Sequence, residues 1–281
     1  HHRKSHINNI DSLDYDYGLS LNYDKNNIEF KTEIYRSKHF ELTFLKKIKL
    51  KSSNHILKLD YQRFRVPILI NSFLSNNYLF NNNFFLTKAA NATYTIKYKN
   101  HLFRSKLMFN SDYIYIDENS HYQQFNNDII NWTNKWEMEF NWRKINYKHT
   151  LEYNFTDNTN IIRFPKLNYS SSFWLESNLF GDNLNTRFGV DLNYFTSYYA
   201  LAYNPALAKY YLQNSQMIGD IPLVSPYLSL KVNEMLISMK YRNIISLFNS
   251  NSNEYYLVPN YPYHPRIFQL SLIWKLSNFS S

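Results

Sequence analysis

Leu13-Asp14-Tyr15-Asp16-Tyr17-Gly18-Leu19-Ser20-Leu21-Asn22-Tyr23-Asp24 alternates an apolar residue with a polar or small one without a break. Successive strand side chains point to opposite faces, so Leu13, Tyr15, Tyr17, Leu19, Leu21 and Tyr23 fall on one face and the aspartates on the other. The stretch predicts an amphipathic strand of about eleven residues, the length that crosses a bilayer in a tilted barrel.

Working outward, the same period-two pattern recurs at 28–34, 40–50, 57–61, 90–98, 107–115, 130–140, 145–155, 169–179, 184–194, 228–232, 237–241 and 268–276. No composition break marks a second domain. Between these stretches short turns (24–27, 51–54, 99–101, 141–143, 181–183, 233–234) alternate with longer segments (65–88, 117–128, 156–166, 196–222, 248–265). That rhythm belongs to outer-membrane barrels, which pair short periplasmic turns with long external loops. Asn and Ser are expected to supply the left-handed turn conformations that Gly normally would.

Composition agrees. Tyr (26) and Phe (21) are abundant and Gly (4) is scarce, which favours strands over helices. No apolar run approaches the roughly eighteen residues a membrane helix needs. A membrane role therefore requires a closed sheet, because lipid offers no partner to unpaired backbone groups. Cys is absent, so disulfides and thiolate metal sites are excluded. The net charge of +9 comes from basic residues scattered over strands and turns, which is no basic patch and gives no reason to expect nucleic acid. The His-rich opening, His1 to His6, lacks an initiator Met and an apolar signal core, and reads as a mature or truncated product.

The predicted fold is all-β: an antiparallel transmembrane β-barrel of about fourteen strands (about 12–16), since single-chain barrels close on an even number. Residues 1–10 are expected to supply a weak or truncated strand and residues 11–281 a single barrel domain. A soluble sandwich would also alternate. Against it, the apolar faces are aromatic, with Tyr23, Trp132 and Trp274 toward strand ends, as membrane-interface girdles require.

The run Phe188 to Leu207, followed by Gln213-Asn214 and Ile218-Gly219-Asp220-Ile221-Pro222-Leu223, resembles a putative porin family of Bacteroidetes-type outer membranes. Val258 to Phe268 through Trp274 is similar to that family's last loop and strand, and Asp112 to Ile116 with Gln123-Gln124 to an earlier strand and loop. The resemblance implies an outer-membrane barrel with a channel role and brings no catalytic residues. Leu207-Ala208-Lys209 departs from it where relatives favour Gly.

If the apolar faces meet lipid, the opposite faces line a lumen. Pore-lining candidates are then Lys31, Lys58, Lys97, Lys106, Lys135, Glu137, Lys148, Glu152, Arg187, Asp191, Lys231 and Lys240. With Lys47, Lys49 and Lys275 and with Asp14, Asp16, Glu29, Glu33, Glu41, Asp60, Asp112, Glu139 and Glu176 added, these faces carry basic and acidic residues in equal number, so a pore is expected to be weakly ion-selective. The expected role is passive diffusion of small hydrophilic solutes across a bacterial outer membrane, with lipid and lipopolysaccharide outside the barrel and copies of the chain forming a homo-oligomer. No cofactor or metal is implied. The alternatives are a structural or adhesion barrel with an occluded lumen, and a barrel enzyme with a loop-borne site among Asp117, Glu118, His121, Asp220, Glu254 and His264, which show no motif spacing. His149, alone on an apolar face, reads as a buried neutral His or a subunit contact. The loop tyrosines Tyr198, Tyr199, Tyr203, Tyr210 and Tyr211, and Tyr255, Tyr256, Tyr261 and Tyr263, are expected to pack on each other.

Overall fold

The computed structural model describes residues 2–7, 10–15, 18–25, 28–35, 40–50, 52–75, 78–84, 86–180, 183–247, 255–263 and 267–274. Side chains are described from Phe40 onward, except at 68, 73, 246, 247, 255, 262 and 263. The described chain is all-β, and none of its helices is long and apolar enough to cross a membrane.

Thirteen strands form one antiparallel sheet in which each neighbours the strands next to it in chain order. They are β1 (Gly18–Lys25), β2 (Ile28–Tyr35), β3 (Phe40–Leu50), β4 (Ser53–Arg65), β5 (Leu86–Tyr98), β6 (His101–Ser111) and β7 (Ile129–Trp142). The rest are β8 (Ile145–Thr156), β9 (Leu167–Leu179), β10 (Leu184–Phe195), β11 (Leu223–Val232), β12 (Met235–Arg242) and β13 (Ile267–Trp274). Every one overlaps a stretch of sequence alternation.

The N-terminal expectation needs correction. Ile10–Tyr15 pairs back onto His2–Ile7 in a separate two-stranded sheet, while Gly18–Lys25 pairs with Ile28–Tyr35. The alternation from Leu13 to Tyr23 therefore serves two different pairings instead of one long strand. His2–Ile7 is a strand, but it does not join the thirteen.

The turn expectation also changes. Two-residue turns join β5 to β6, β7 to β8 and β11 to β12, and their left-handed residues are Lys99 (φ 49°), Arg143 (φ 53°) and Asn233 (φ 50°). Only the last is of the type expected. Lys99 and Arg143 stack their cations over the rings of Tyr98 (5.4 Å) and Trp142 (5.3 Å), a contact of about 0.5–1 kcal/mol at exposed sites that offsets part of the backbone cost.

Two compact units make up the chain: residues 1–134 with 154–164 and 199–216, and residues 135–153 with 165–198 and 217–281. In both, several of the described strands expose large apolar side chains. On β13 the exposures of Phe268, Leu270, Leu272 and Trp274 are 62%, 61%, 64% and 67%. Phe173 and Leu175 on β9 and Tyr94 and Tyr98 on β5 follow the same rule. This is the reverse of a soluble domain, where such residues are buried.

The buried apolar residues lie elsewhere. In the first unit Val66, Phe80, Ile116, Ile161, Ala202 and Leu212 are buried in the connections, and Ile129 (0% exposed) starts β7. Three long connections carry small hairpins: Ser72–Leu74 with Leu79–Asn81, Tyr113–Ile116 with Tyr122–Phe125, and Ala202–Asn204 with Lys209–Tyr211. In the second unit Tyr255–Val258 pairs with Tyr261–Tyr263.

Candidate functional site

The site grows from the polar face of the sheet, because register decides which side chains meet across neighbouring strands. In the first unit Lys58 and Lys106 both stand opposite Thr93, one from each side, in a single row across β4, β5 and β6. Lys58 Nζ lies 2.9 Å from Asp60 Oδ1, and Thr43 Oγ1 donates to the same oxygen at 3.0 Å. Gln62 Nε2 donates to Glu41 Oε1 at 3.2 Å. Lys97 stands opposite Asn54.

The second unit repeats this chemistry. Lys240 Nζ is 2.6 Å from Asp191 Oδ2, while Ser172 Oγ donates to Asp191 Oδ1 at 2.6 Å. Arg187 Nη2 pairs with Glu176 Oε2 at 3.0 Å, and Asn185 Nδ2 donates to Glu176 Oε1 at 3.1 Å. Lys135 Nζ meets Glu137 Oε1 at 2.6 Å. Lys148 stands opposite Ser172, Glu152 opposite Asn168, and Lys231 opposite Asn185. The structure thus groups the predicted polar residues by face and pairs several of them in charge. The side chains of Lys31 and Tyr23, like Glu254 and His264, lie outside the described residues.

A signal that sequence reading missed sits among them. Tyr227 stands opposite Gly189, and a Cβ on Gly189 would lie 2.5 Å from Tyr227 Cζ and 2.7 Å from the carbonyl oxygen of Phe173. Only a glycine lets the phenol ring lie flat across β10 here. The guanidinium of Arg187 stacks 5.4 Å over the Trp174 ring beside it.

On the apolar face Trp132 and Trp274 are exposed, and the Trp132 indole donates to Ser105 Oγ at 2.9 Å. His149 is only 8% exposed. The rings of Trp136, at 4.6 Å, and Tyr147, at 5.4 Å, pack edge-on against it, and the Tyr147 and Tyr169 hydroxyls are hydrogen-bonded at 2.9 Å. His149 is accordingly covered by its own neighbours.

In the first unit the long connections are tied to one another. Asn204 Nδ2 donates to Tyr78 Oη (2.7 Å) and Ser120 Oγ (3.0 Å), and the Leu212 amide donates to the Ile116 carbonyl (2.9 Å). Arg163 donates to Asn214 Oδ1 (2.8 Å), and Asn214 donates in turn to Glu118. Partial burial pushes the Arg163 guanidinium below its ordinary range, while Glu118 and the Tyr199 ring 5.8 Å away pull it back. The Tyr203 and Tyr210 rings pack at 5.3 Å, as expected of a tyrosine-rich loop.

The carboxylates weighed as enzyme groups have structural partners. Asp117 Oδ1 accepts the amides of Asn119 and His121, both at 2.9 Å, and its Oδ2 accepts Gln123 Nε2 at 2.9 Å. In the second unit Asp220 Oδ1 accepts the Ser197 amide (3.2 Å) and the Tyr194 hydroxyl (3.1 Å). Among the described residues no group of three or more His, Asp or Glu is placed to hold a metal ion.

No curated protein matches the chain in sequence. The model of one family does, over residues 8–278; it is described as "Putative porin", and the chain belongs to that family.

Proposed function

We propose that the chain is an outer-membrane β-barrel that passes small hydrophilic solutes by passive diffusion. The observation that carries this reading is the inversion of the strand faces. Leaving one large apolar side chain in water forgoes about 1.5–3 kcal/mol, and Phe173, Leu175, Phe188, Phe268, Leu270 and Leu272 are all exposed together. A hydrocarbon surround removes that penalty, and family membership points the same way. Lipid and lipopolysaccharide then cover the apolar faces, and copies of the chain are the natural partners within the membrane.

The polar faces become the lumen wall. Single-chain barrels of this kind close on an even strand number, so closure of the thirteen calls for one more strand. Because Lys58, Lys135, Arg187 and Lys240 each sit beside a carboxylate, the wall carries mixed charge and discriminates weakly between ions. Purified protein in planar bilayers tests this: stepwise conductance with a small reversal potential across a salt gradient is expected. Absence of conductance, or strong selectivity of either sign, overturns it.

A second reading, a barrel with a narrowed or occluded lumen, is favoured by the cross-tied connections of the first unit. Conductance that rises when Arg163 and Asn204 are both replaced by Ala separates a gated channel from a permanently blocked barrel. An enzymatic role draws no support from Asp117, Glu118 or Asp220, whose carboxylates hold loops together.

A further inference from the structure

The second unit breaks its own alternation at one place. Away from the strand ends, the polar faces of β8 to β13 carry Asn, Gln, Ser, Thr, Lys, Arg, Asp and Glu, with three exceptions. Trp174, Gly189 and Tyr227 stand in one row, the two aromatic residues opposite the glycine from β9 and β11, and directly opposed residues share a face. The end of the Tyr227 ring lies over Gly189, where a Cβ would be 2.6 Å from the phenol oxygen. One side of the ring is therefore against the β10 backbone and the other is turned away from the sheet. Both aromatic side chains are half-buried.

Hydrogen-bonding groups border the rings on either side. Arg187, two residues before Gly189, is paired with Glu176, and Asp191, two residues after it, is paired with Lys240, which stands opposite Tyr227. These four side chains keep between 25% and 45% of their exposure, so their remaining N–H groups and lone pairs are open to a ligand. Lys148 is exposed opposite Ser172, and among the described residues no carboxylate is paired with it. Ring surface set among many charged donors and acceptors matches a molecule divided in the same way, with a flat C–H face and a rim of hydroxyls. We propose that this part of the wall binds a sugar whose ring lies on Trp174 and Tyr227 and whose hydroxyls meet the two ion pairs, with Lys148 favouring a sugar that carries a carboxylate. A flat aromatic solute would cover the rings as well, but would leave the charged groups with fewer partners than water gives them. The inference rests on reading the polar faces as a water-filled lumen wall.

The test uses the full chain in lipid nanodiscs and ligand-observed NMR titration, with empty nanodiscs as the baseline and glucuronate, glucose and uridine as probes. Saturable binding of both sugars is expected, glucuronate about two- to fivefold tighter than glucose, as for an exposed ion pair, and uridine weaker than either. Trp174→Leu weakens both sugars about three- to tenfold, the worth of an aromatic contact. Lys148→Met removes the preference for glucuronate and leaves glucose unchanged. Phe173→Leu, beside Trp174 but on the outer face, changes neither. Sugar signals no larger than those of empty nanodiscs, wild-type affinity in Trp174→Leu, or uridine binding tighter than both sugars overturn the site. Should Trp174→Leu fail to fold, Lys148→Met decides, and an undiminished glucuronate preference overturns the assignment. Bilayer conductance is read separately: binding without conductance overturns the channel and keeps the site, and conductance without binding does the reverse.

Discussion

Lys240 Nζ reaches Asp191 Oδ2 at 2.6 Å from a strand two positions away, passing over β11. Ser172, on the other side, donates to the second oxygen, so one carboxylate ties three strands of the second unit, β9, β10 and β12. Asp191→Asn keeps the shape and removes the charge. About 1–2 kcal/mol of stability is expected to be lost, as for a hydrogen bond to a charged group, together with a shift of reversal potential toward anions. Urea unfolding in detergent and bilayer recordings check the two effects.

Gly189→Ala forces a methyl group into the Tyr227 ring and the Phe173 carbonyl. A loss of about 1–3 kcal/mol is expected from overpacking. Adding Tyr227→Ser recovers only the part due to the ring, since the backbone oxygen stays. Thermal unfolding of the single and double variants separates the two contributions.

Gln213 is a buried staple of the 199–216 connection. Its Nε2 donates to the carbonyls of Ala200 (2.6 Å) and Gln216 (2.8 Å), and its Oε1 accepts the amides of Ser215 and Gln216. Gln213→Leu strands these groups at about 1–3 kcal/mol each where water cannot replace the amide. Protease cleavage between Tyr199 and Gln216 is expected to rise about tenfold or more, as local opening becomes easier by over roughly 1.4 kcal/mol.

Asp220 makes the 196–222 connection sensitive to acid. The Ser197 and Tyr194 hydrogen bonds hold its carboxyl below the ordinary value of 3.8. Because the folded value is depressed, this anchoring is fully present above the ordinary value. It fades as pH falls through that value and is gone below the depressed one. Hydrogen exchange at Ser197 is expected to accelerate over that window beyond the intrinsic pH trend. Asp220→Asn removes the excess change.

The strand faces could be read from the sequence because a strand bordered by two different environments writes a period of two. Phe173 and Leu175 against Ser172 and Glu176 is such a record, and the structure keeps it. Where the period continues but the partner changes, it is silent. Nothing between Leu13 and Tyr23 announces that Ile10–Tyr15 pairs backward and Gly18–Lys25 pairs forward. The core of the connections was equally hidden. Val66, Ile116 and Leu212 come together from distant points without any period.

Placing the well-packed core in the connections reverses the usual map of tolerance to substitution. On the exposed strand faces any residue of adequate apolarity serves, so Leu270 or Phe173 should exchange freely with Ile, Val or Met. Ala202, at 1% exposure inside a loop hairpin, should accept almost nothing larger. Across relatives, the segments that look like spacers should therefore drift more slowly than the outer faces of the strands they connect.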